Sequence, residues 1–318
     1  MSKSTGSMSF PFSRVLVTGG TGFLGQAVGR ALRKRQVPHV FLLSSKEGDL
    51  RVASQAIEVV QRYKPECIVH CAVQGGGIGW MKAHPVESGR DNVFMNLNIL
   101  DAALKVGVDS VIGVSSACVY PKHGMIPYHE DAVWEGYPEP LNGSYALSKR
   151  LMMDMGRAYA QQHGLHSAFP VLANLYGVGD HIDPTRAHVV ADLMIRCAKK
   201  PDSLTVWGTG IAKREFLFVE DAAEGVLACV QAPKSSVINI GTGIETPIVA
   251  LAEKTIAAHG LDIPIVLDTT KPDGQLRKVL DVHKAQQLLG WSAQTSLEEG
   301  LSITAKWYCA QLSEERRN

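Results

Sequence analysis

The sequence predicts an α/β protein with a doubly wound parallel sheet. The first observation is an alternation of apolar, β-branched segments with helical stretches, which is typical of a parallel sheet covered by helices on both faces. The second is a glycine-rich turn directly after the first of these segments, and the third is a helix that begins near Tyr145 and ends at Gly164. The predicted strands of the N-terminal half are residues 14–18, 39–43, 67–71 and 110–114.

Composition excludes several classes of protein. The chain has 318 residues, 45% of them hydrophobic, which is enough for a large core divided between two lobes. Lys and Arg total 32 against 31 Asp and Glu, so the basic excess of a nucleic-acid-binding protein is missing. No run of about 18 apolar residues occurs, and no membrane span is expected. The six cysteines lack paired metal spacing, so we expect reduced thiols, a cytoplasmic protein and no metal site.

We divide the chain into a leader and two interleaved lobes. Residues 1–10 are small and polar and are expected to be a disordered leader. Residues 11–175, with about 213–241, form the predicted nucleotide-binding domain, because apolar strands return at 216–219 and 237–240. Residues 176–212 and 242–318 form a smaller C-terminal α/β lobe. The cleft between the lobes is the expected substrate site.

The glycine turn predicts a dinucleotide site. Gly19, Gly22 and Gly25 follow the first strand, and Phe23 and Leu24 begin the next helix. Without side chains at the glycines, backbone amides and the helix N-terminus can approach a pyrophosphate, which indicates a Rossmann-type domain.

The end of the second strand bears on the choice of cofactor. Ser44, Ser45 and Lys46 stand there, with no acidic residue at the strand end to bind a free ribose 2′-hydroxyl. Hydroxyls and an ammonium suit a 2′-phosphate, so the sequence favours NADP(H) over NAD(H). A solvated surface charge remains the alternative for Lys46.

Two residues of the long helix indicate a nicotinamide-dependent enzyme. Tyr145 and Lys149 are four residues apart and therefore share one face. A tyrosine that exchanges a proton near neutral pH needs its phenolate stabilised by roughly two to three pKa units, and Lys149 is placed to contribute. Ser116, at the end of the fourth predicted strand, can share a carbonyl oxygen with Tyr145.

Together these motifs resemble the extended short-chain dehydrogenase/reductase superfamily over essentially the whole folded chain. Within it, the sequence resembles the GDP-L-fucose synthase family, whose reaction is the 3,5-epimerisation and 4-reduction of GDP-4-keto-6-deoxymannose. The resemblance rests on residues 116–122, 174–177, 187–190 with Arg196, 206–210, 214–216 and 270–274. It implies NADP(H), a GDP-sugar substrate and a homodimer that pairs the Tyr145 helix with a helix near residues 92–103.

The resemblance also implies roles for individual residues. Ser116, Tyr145 and Lys149 correspond to the reductase triad. Cys118 and His188 correspond to the acid/base pair of epimerisation. The remaining positions that we assign to ligands are Asn174 for the cofactor and, for the substrate, Arg196, Trp207, Arg214 and Lys271.

Other interpretations stay open. Cys118 and His188 can be packing residues, Trp207 a core residue, and Lys271 a surface charge. Residues 180–183 depart from the family pattern, so a related enzyme acting on another substrate, such as a GDP-6-deoxy-4-keto-heptose, or one that only epimerises or only reduces, is the main alternative. A cofactor-binding regulator without turnover is disfavoured because Tyr145 and Lys149 are both present.

Overall fold

The computed structural model describes residues 10–183 and 187–315. Nearly all of the expected leader, residues 1–9, lies outside them. The strands are β1 (Arg14–Thr18), β2 (His39–Leu43), β3 (Cys67–His70), β4 (Ser110–Gly113), β5 (Ser115–Ser116), β6 (His166–Leu172), β7 (Asn174–Tyr176), β8 (Leu204–Trp207), β9 (Lys213–Arg214), β10 (Phe216–Phe218), β11 (Ser236–Ile240), β12 (Thr246–Pro247), β13 (Ile265–Asp268) and β14 (Arg277–Lys278).

The helices flank these strands. They are α1 (Phe23–Lys34), α2 (Ala53–Tyr63), α3 (Ile78–Ala83), α4 (Pro85–Val106), α5 (Gly143–His163), α6 (Val189–Ala198), α7 (Val219–Ala228), α8 (Ile248–Ala258), α9 (His283–Leu289) and α10 (Leu297–Glu315). Short 3-10 turns cover Ala117–Val119, Glu130–Trp134, Pro140–Asn142 and Cys229–Gln231. Within the described ranges, no helix combines the length and apolar character needed to cross a bilayer.

The central sheet has the predicted doubly wound topology. Its order is β11-β6-β4-β3-β1-β2, with β5 also paired to β6. Neighbouring strands run parallel throughout this sheet. From β1 the chain moves outward to β2 and then returns to β3 on the other side of β1. The strand order therefore reverses between β1 and β3, where doubly wound sheets bind ligands at their carboxyl edge.

Both faces of the sheet are covered. In β1, Val15 and Val17 pack into a core with α1 and α7, whereas Leu16 faces a second core with α2 and α4. Successive residues of a strand point to opposite faces, so an uninterrupted apolar strand fills both cores. The Rossmann-type fold prediction is confirmed.

A smaller lobe has its own core. Residues of α6, α8 and α10, among them Met194, Leu251 and Tyr308, pack together there. The strands of this lobe form two small sheets, β8 with β13 and β12-β9-β14.

One strand was assigned to the wrong sheet. We expected residues 216–219 to rejoin the central sheet, but β10 pairs with β7 in a separate two-stranded sheet. The reason is that β6 already has β4 and β5 on one edge and β11 on the other, so no edge is free for β10. The predicted return at residues 237–240 is correct, as part of β11.

Candidate active site

The glycine turn is closed by backbone contacts that exclude side chains. Gly19 has φ +63°, and a Cβ added there would lie 2.8 Å from the backbone nitrogen of Ala72, two residues after β3. A Cβ at Gly25 would lie 2.2 Å from the carbonyl oxygen of Gly19. The amide of Gly22 donates to the same oxygen at 3.0 Å. The turn therefore requires glycine at positions 19 and 25 for steric reasons.

The helix that follows the turn has an open, electropositive N-terminus. Gly22 caps α1 without a side-chain hydrogen bond, and the first turn carries no acidic residue. Phe23 and Leu24 are half-buried at this end. Free amides at a helix N-terminus, located at the point where the strand order reverses, fit the pyrophosphate of a dinucleotide.

The loop after β2 contains a carboxylate that sequence reasoning overlooked. Glu47 accepts hydrogen bonds from the amide and hydroxyl of Ser44 at 2.9 and 3.0 Å, and from the hydroxyl of Tyr63 at 2.7 Å. These bonds, with that of the Ser44 amide first, lower the pKa of Glu47. The Ser44 hydroxyl is thus already engaged, while Ser45 and Lys46 are exposed.

The structure brings the residues of the predicted reductase triad together. Ser116 ends β5. Burial, and after it the nearby Cys118, raise the pKa of the Tyr145 phenol, and the neighbouring Ser116 hydroxyl opposes that rise. Lys149, one turn further along α5, is only 2% exposed, and burial lowers its pKa to about 8. Burial thus favours the neutral form of both groups. A neutral phenol is the form that can give a proton.

A buried chain of polar groups passes near Lys149 and connects α5 to the end of β1, directly before the glycine turn. The Thr18 hydroxyl lies 2.7 Å from Nδ1 of His70, and His70 Nε2 lies 3.1 Å from Oδ1 of Asn96. Asn96 Nδ2 donates to the Ser148 carbonyl at 3.2 Å, which leaves its Oδ1 as an acceptor and places the His70 proton on Nε2. Burial and the nearby Lys149 lower the His70 pKa to about 3. The imidazole is therefore a neutral connector.

Cys118 lies beside this triad, on the 3-10 turn that follows Ser116. Its amide donates to the Ser116 hydroxyl at 3.3 Å. Two donors approach its sulfur: Asn142 Nδ2 at 3.0 Å and Lys278 Nζ at 3.9 Å. Such donors stabilise a thiolate, which is the reactive form of cysteine. The sequence analysis missed both Asn142 and Lys278, although Asn142 stands three residues before Tyr145.

The turn that carries Cys118 is held from α5. Arg150 directly follows Lys149, and its Nε donates to the Val119 carbonyl at 2.8 Å. Its NH1 donates to the carbonyl of Gly136 at 2.9 Å. One helix therefore positions the phenol, the ammonium and the thiol relative to one another.

His188 is placed at the N-terminal cap of α6. The His188 residue is exposed to solvent. Nearby protein atoms still displace part of the water around its imidazole, and this desolvation, together with the positive charge of the neighbouring His181, lowers its pKa. Within the described ranges no hydrogen bond joins it to Cys118. The segment immediately before it, residues 184–186, is not described. Its role as the second acid/base residue remains a prediction.

The residues predicted to contact the substrate, together with Asn174 from the predicted cofactor site, fall into two groups. Trp207, 66% exposed, lies at the end of β8, and Lys271 Nζ is 5.8 Å from the centre of its ring. Arg214 in β9 is half-buried, which lowers its pKa, and its NH1 donates to the Lys213 carbonyl. These side chains retain surface for a ligand.

Arg196 and Asn174 are instead engaged with the protein itself. Arg196 pairs with Asp192 at 2.8 Å and donates to the Thr205 carbonyl at 2.6 Å, although its buried Nε lacks a partner in the described part of the chain. Asn174 Nδ2 donates to the Glu215 carbonyl at 2.8 Å. Both assignments to ligands stay predictions.

Glu215 links separate segments on the substrate side of the site, and the sequence analysis assigned it no role. Its buried carboxylate accepts the amides of Thr242 at 2.5 Å, Gly243 at 2.8 Å and Leu280 at 2.8 Å. Burial raises its pKa against the effect of these donors. It thereby fixes the strand of Arg214 against the segment that follows Lys278.

Comparisons with known proteins agree with this geometry. A model of the "NAD dependent epimerase/dehydratase family" matches residues 15–241. "Putative GDP-L-fucose synthase 2" of Arabidopsis thaliana is 33% identical over 96% of this chain and 94% of its own length. The Escherichia coli GDP-L-fucose synthase is 31% identical over 93% and 96%.

Solved structures give the same result. A GDP-L-fucose synthetase from Naegleria fowleri bound to NADP has a TM-score of 0.85 and 31% identity, covering 94% of this chain and 93% of that one. A GDP-6-OMe-4-keto-L-xylo-heptose reductase from C. jejuni has a TM-score of 0.85 over 93% and 97%, but at 23% identity it shares the fold alone. The predicted family is confirmed: the chain belongs to the NAD dependent epimerase/dehydratase family and, within it, to the GDP-L-fucose synthase family.

Proposed function

We propose that the protein converts GDP-4-keto-6-deoxy-D-mannose to GDP-L-fucose by 3,5-epimerisation and NADPH-dependent reduction of the 4-keto group. The observation that carries the proposal is the cluster of Ser116, Cys118 and Tyr145 beside the buried ammonium of Lys149. The family assignment supports the same reaction, and the NADP in the Naegleria structure supports the cofactor.

Epimerisation needs groups that remove and return protons next to a ketone. The carbonyl at carbon 4 acidifies the hydrogens at carbons 3 and 5. Cys118 and His188 are the proposed proton carriers, and the negative charge that develops on the carbonyl oxygen is stabilised by Ser116 and Tyr145. Asn142 and Lys278 place hydrogen-bond donors at the Cys118 sulfur.

Reduction uses the same carbonyl. The glycine turn would hold NADPH, which when bound would supply the hydride for carbon 4. Tyr145 delivers a proton to the carbonyl oxygen, and burial keeps that phenol protonated beforehand. Lys149 then stabilises the phenolate that remains.

The nucleotide part of the substrate is proposed to lie in the smaller lobe. Trp207 and Lys271 offer an aromatic face and a cation at its surface, and Arg214 offers a guanidinium for the diphosphate. Arg196 contributes there only if substrate replaces its contact with Asp192.

Incubation with GDP-4-keto-6-deoxymannose and NADPH in deuterated water tests the proposal. We expect loss of absorbance at 340 nm, deuterium at carbons 3 and 5, and a fucose product by NMR. Cys118→Ser should reduce the deuterium incorporation, with Cys309→Ser, an exposed cysteine, as the matched control. Deuterium without oxidation of NADPH, or the reverse, indicates a single-reaction enzyme. No reaction contradicts the proposed substrate and directs the assay to GDP-6-deoxy-4-keto-heptoses.

We also propose a cytoplasmic homodimer. Large apolar side chains are exposed on α4 and α5, which pack against each other: Phe94 is 47%, Leu147 39% and Leu151 37% exposed. A second copy of the same helix pair would cover them in a four-helix bundle. The six free thiols suit a reducing compartment. Light scattering at monomer mass would contradict the dimer.

A further inference from the structure

Asn142 has one side of its amide engaged and the other side unused. It ends the 3-10 turn Pro140–Asn142 that leads into α5, three residues before Tyr145. Its Nδ2 lies 3.0 Å from the sulfur of Cys118. Its Oδ1 is buried and, among the described residues, has no hydrogen-bond partner.

The orientation of the amide follows from the charge around the sulfur. Lys278 Nζ also approaches this sulfur, at 3.9 Å. A thiolate can only accept hydrogen bonds, so the proton-carrying role proposed for Cys118 needs donors at its sulfur, and this ammonium and the Asn142 amide are the two that approach it among the described residues. The Asn142 nitrogen must therefore face the sulfur, and the oxygen must point away from it.

A buried acceptor without a donor is unfavourable in the free enzyme. Such a group loses its hydrogen bonds to water and gains none in return. The unfavourable state ends if binding of a ligand uncovers the oxygen and brings a hydroxyl to it. Since the other side of the same amide contacts the proposed proton carrier, the hydroxyl must belong to the reacting part of the ligand.

We propose that Asn142 is a substrate-contacting residue with two functions: its Nδ2 stabilises the Cys118 thiolate, and its Oδ1 accepts a hydrogen bond from a ring hydroxyl of the sugar. This inference rests on the proposed function, whose substrate carries ring hydroxyls at carbons 2 and 3 only. One planar amide then fixes the distance between the thiolate and the sugar ring. Sugars without a hydroxyl at that position leave Oδ1 unsatisfied and are selected against.

The donor function can be tested without any substrate. Asn142→Asp and Asn142→Leu keep the size of the side chain but remove the N–H donor. We expect alkylation of Cys118 by iodoacetamide at pH 7.5, located by peptide mass spectrometry, to slow by about tenfold in both variants. The exposed Cys309 is the internal control, and Leu141→Ala, an exposed neighbour on the same turn, is the matched variant. Alkylation of Cys118 within twofold of the parent rate in both variants would overturn the donor function.

The acceptor function is tested by comparing the same two variants on substrate. Asp retains an acceptor oxygen and Leu has none. In the deuterium-exchange reaction with GDP-4-keto-6-deoxymannose, we expect the KM of Asn142→Leu to rise about tenfold and that of Asn142→Asp to stay within about threefold, while kcat falls in both. NADPH binding by fluorescence titration and the melting temperature should match the parent. An equal KM in the two variants would overturn the acceptor function.

The two assays also separate this inference from the proposed function. If the parent enzyme does not act on the sugar, the proposed function fails and the acceptor function fails with it. The alkylation result still decides the donor function, because it uses the ligand-free protein.

Discussion

The two ends of the active site are built in different ways. At the cofactor end, the decisive contacts are made by backbone: Gly19 and Gly25 meet within one strand-turn-helix unit, at distances that no Cβ could occupy. At the sugar end, the contacts are made by side chains from distant segments. Cys118, Asn142 and Lys278 converge from two 3-10 turns and from β14.

The difference has consequences for substitution. A side chain added at the cofactor end displaces backbone and so disturbs every function that depends on the turn. A side chain removed at the sugar end takes away one donor or acceptor and leaves the rest in place. We therefore expect broad losses at the first end and losses confined to one reaction or one kinetic constant at the second.

The largest effect is expected where the two ends meet, at Tyr145. Tyr145→Phe removes the proton donor for the carbonyl oxygen on carbon 4 but leaves the glycine turn intact. We expect NADPH oxidation to fall about a thousandfold, within the range for general acid catalysis, while NADPH affinity stays unchanged. Stopped-flow absorbance and fluorescence titration measure the two quantities. Tyr137→Phe, at a tyrosine 58% exposed, is the control, and more than a tenth of the parent rate in Tyr145→Phe would exclude the role.

The next effect concerns Lys149, which lies beside Tyr145 where the two ends of the site meet. We expect the burial of this lysine to lower the stability of the folded protein. Burial lowers its pKa from 10.5 to about 8, so the fold disfavours the ammonium. This penalty is fully present below pH 8, decreases as the pH rises, and is absent above pH 10.5, where the group is neutral in both the folded and the unfolded state. Lys149→Met should therefore raise the free energy of unfolding by about 3 kcal/mol at pH 6.5 and have little effect near pH 10.5.

Urea unfolding of the cofactor-free protein at the two pH values measures this change. Lys306→Met, at an exposed lysine within α10, is the control and should be neutral at both. A Lys149→Met variant that is less stable than the parent at pH 6.5 would mean that the ammonium has a stabilising partner.

The same contrast explains how far the sequence could predict the molecule. The cofactor end is contiguous, so the spacing of Gly19, Gly22 and Gly25 after an apolar strand was sufficient to predict it. Tyr145 and Lys149 follow from helical spacing in the same way. Residues such as Lys278 become visible only through tertiary contacts, because nothing local distinguishes this lysine from Lys271, which the sequence favoured.

Two further misses have the same origin. The position of β10 depends on which edges of β6 are already occupied, and sequence patterns do not carry this information. In the sequence, Glu215 is recognisable only as a charged residue between Arg214 and Phe216. Its function arises from three amides of two loops that are more than 20 residues away along the chain.

Gly25→Ala tests the cofactor end of the site, which is built from close backbone contacts. The added methyl group would lie 2.2 Å from the Gly19 carbonyl oxygen, so the turn has to move. An overpacked contact of this kind typically costs about 1–3 kcal/mol, and we expect NADPH affinity to fall between about tenfold and a hundredfold, with both reactions reduced together. Gly79→Ala is the matched control, because no atom lies within 4 Å of its added Cβ. Gly25→Ala with parent affinity for NADPH would show that the turn adapts.

Lys278→Met tests the sugar end of the site, which is built from side-chain contacts, and should have the smallest effect. The substitution keeps the length of the side chain but removes the ammonium that lies 3.9 Å from the Cys118 sulfur. We expect deuterium incorporation at carbons 3 and 5 to slow by about tenfold, with NADPH affinity unchanged, since a partly buried charge pair of this kind contributes on the order of 1 kcal/mol. Lys213→Met, at an exposed lysine of the neighbouring strand β9, is the matched control. If Lys278→Met instead weakens NADPH binding as Gly25→Ala is expected to do, the two ends of the site are not separable, and the contrast between backbone and side-chain construction loses its functional meaning.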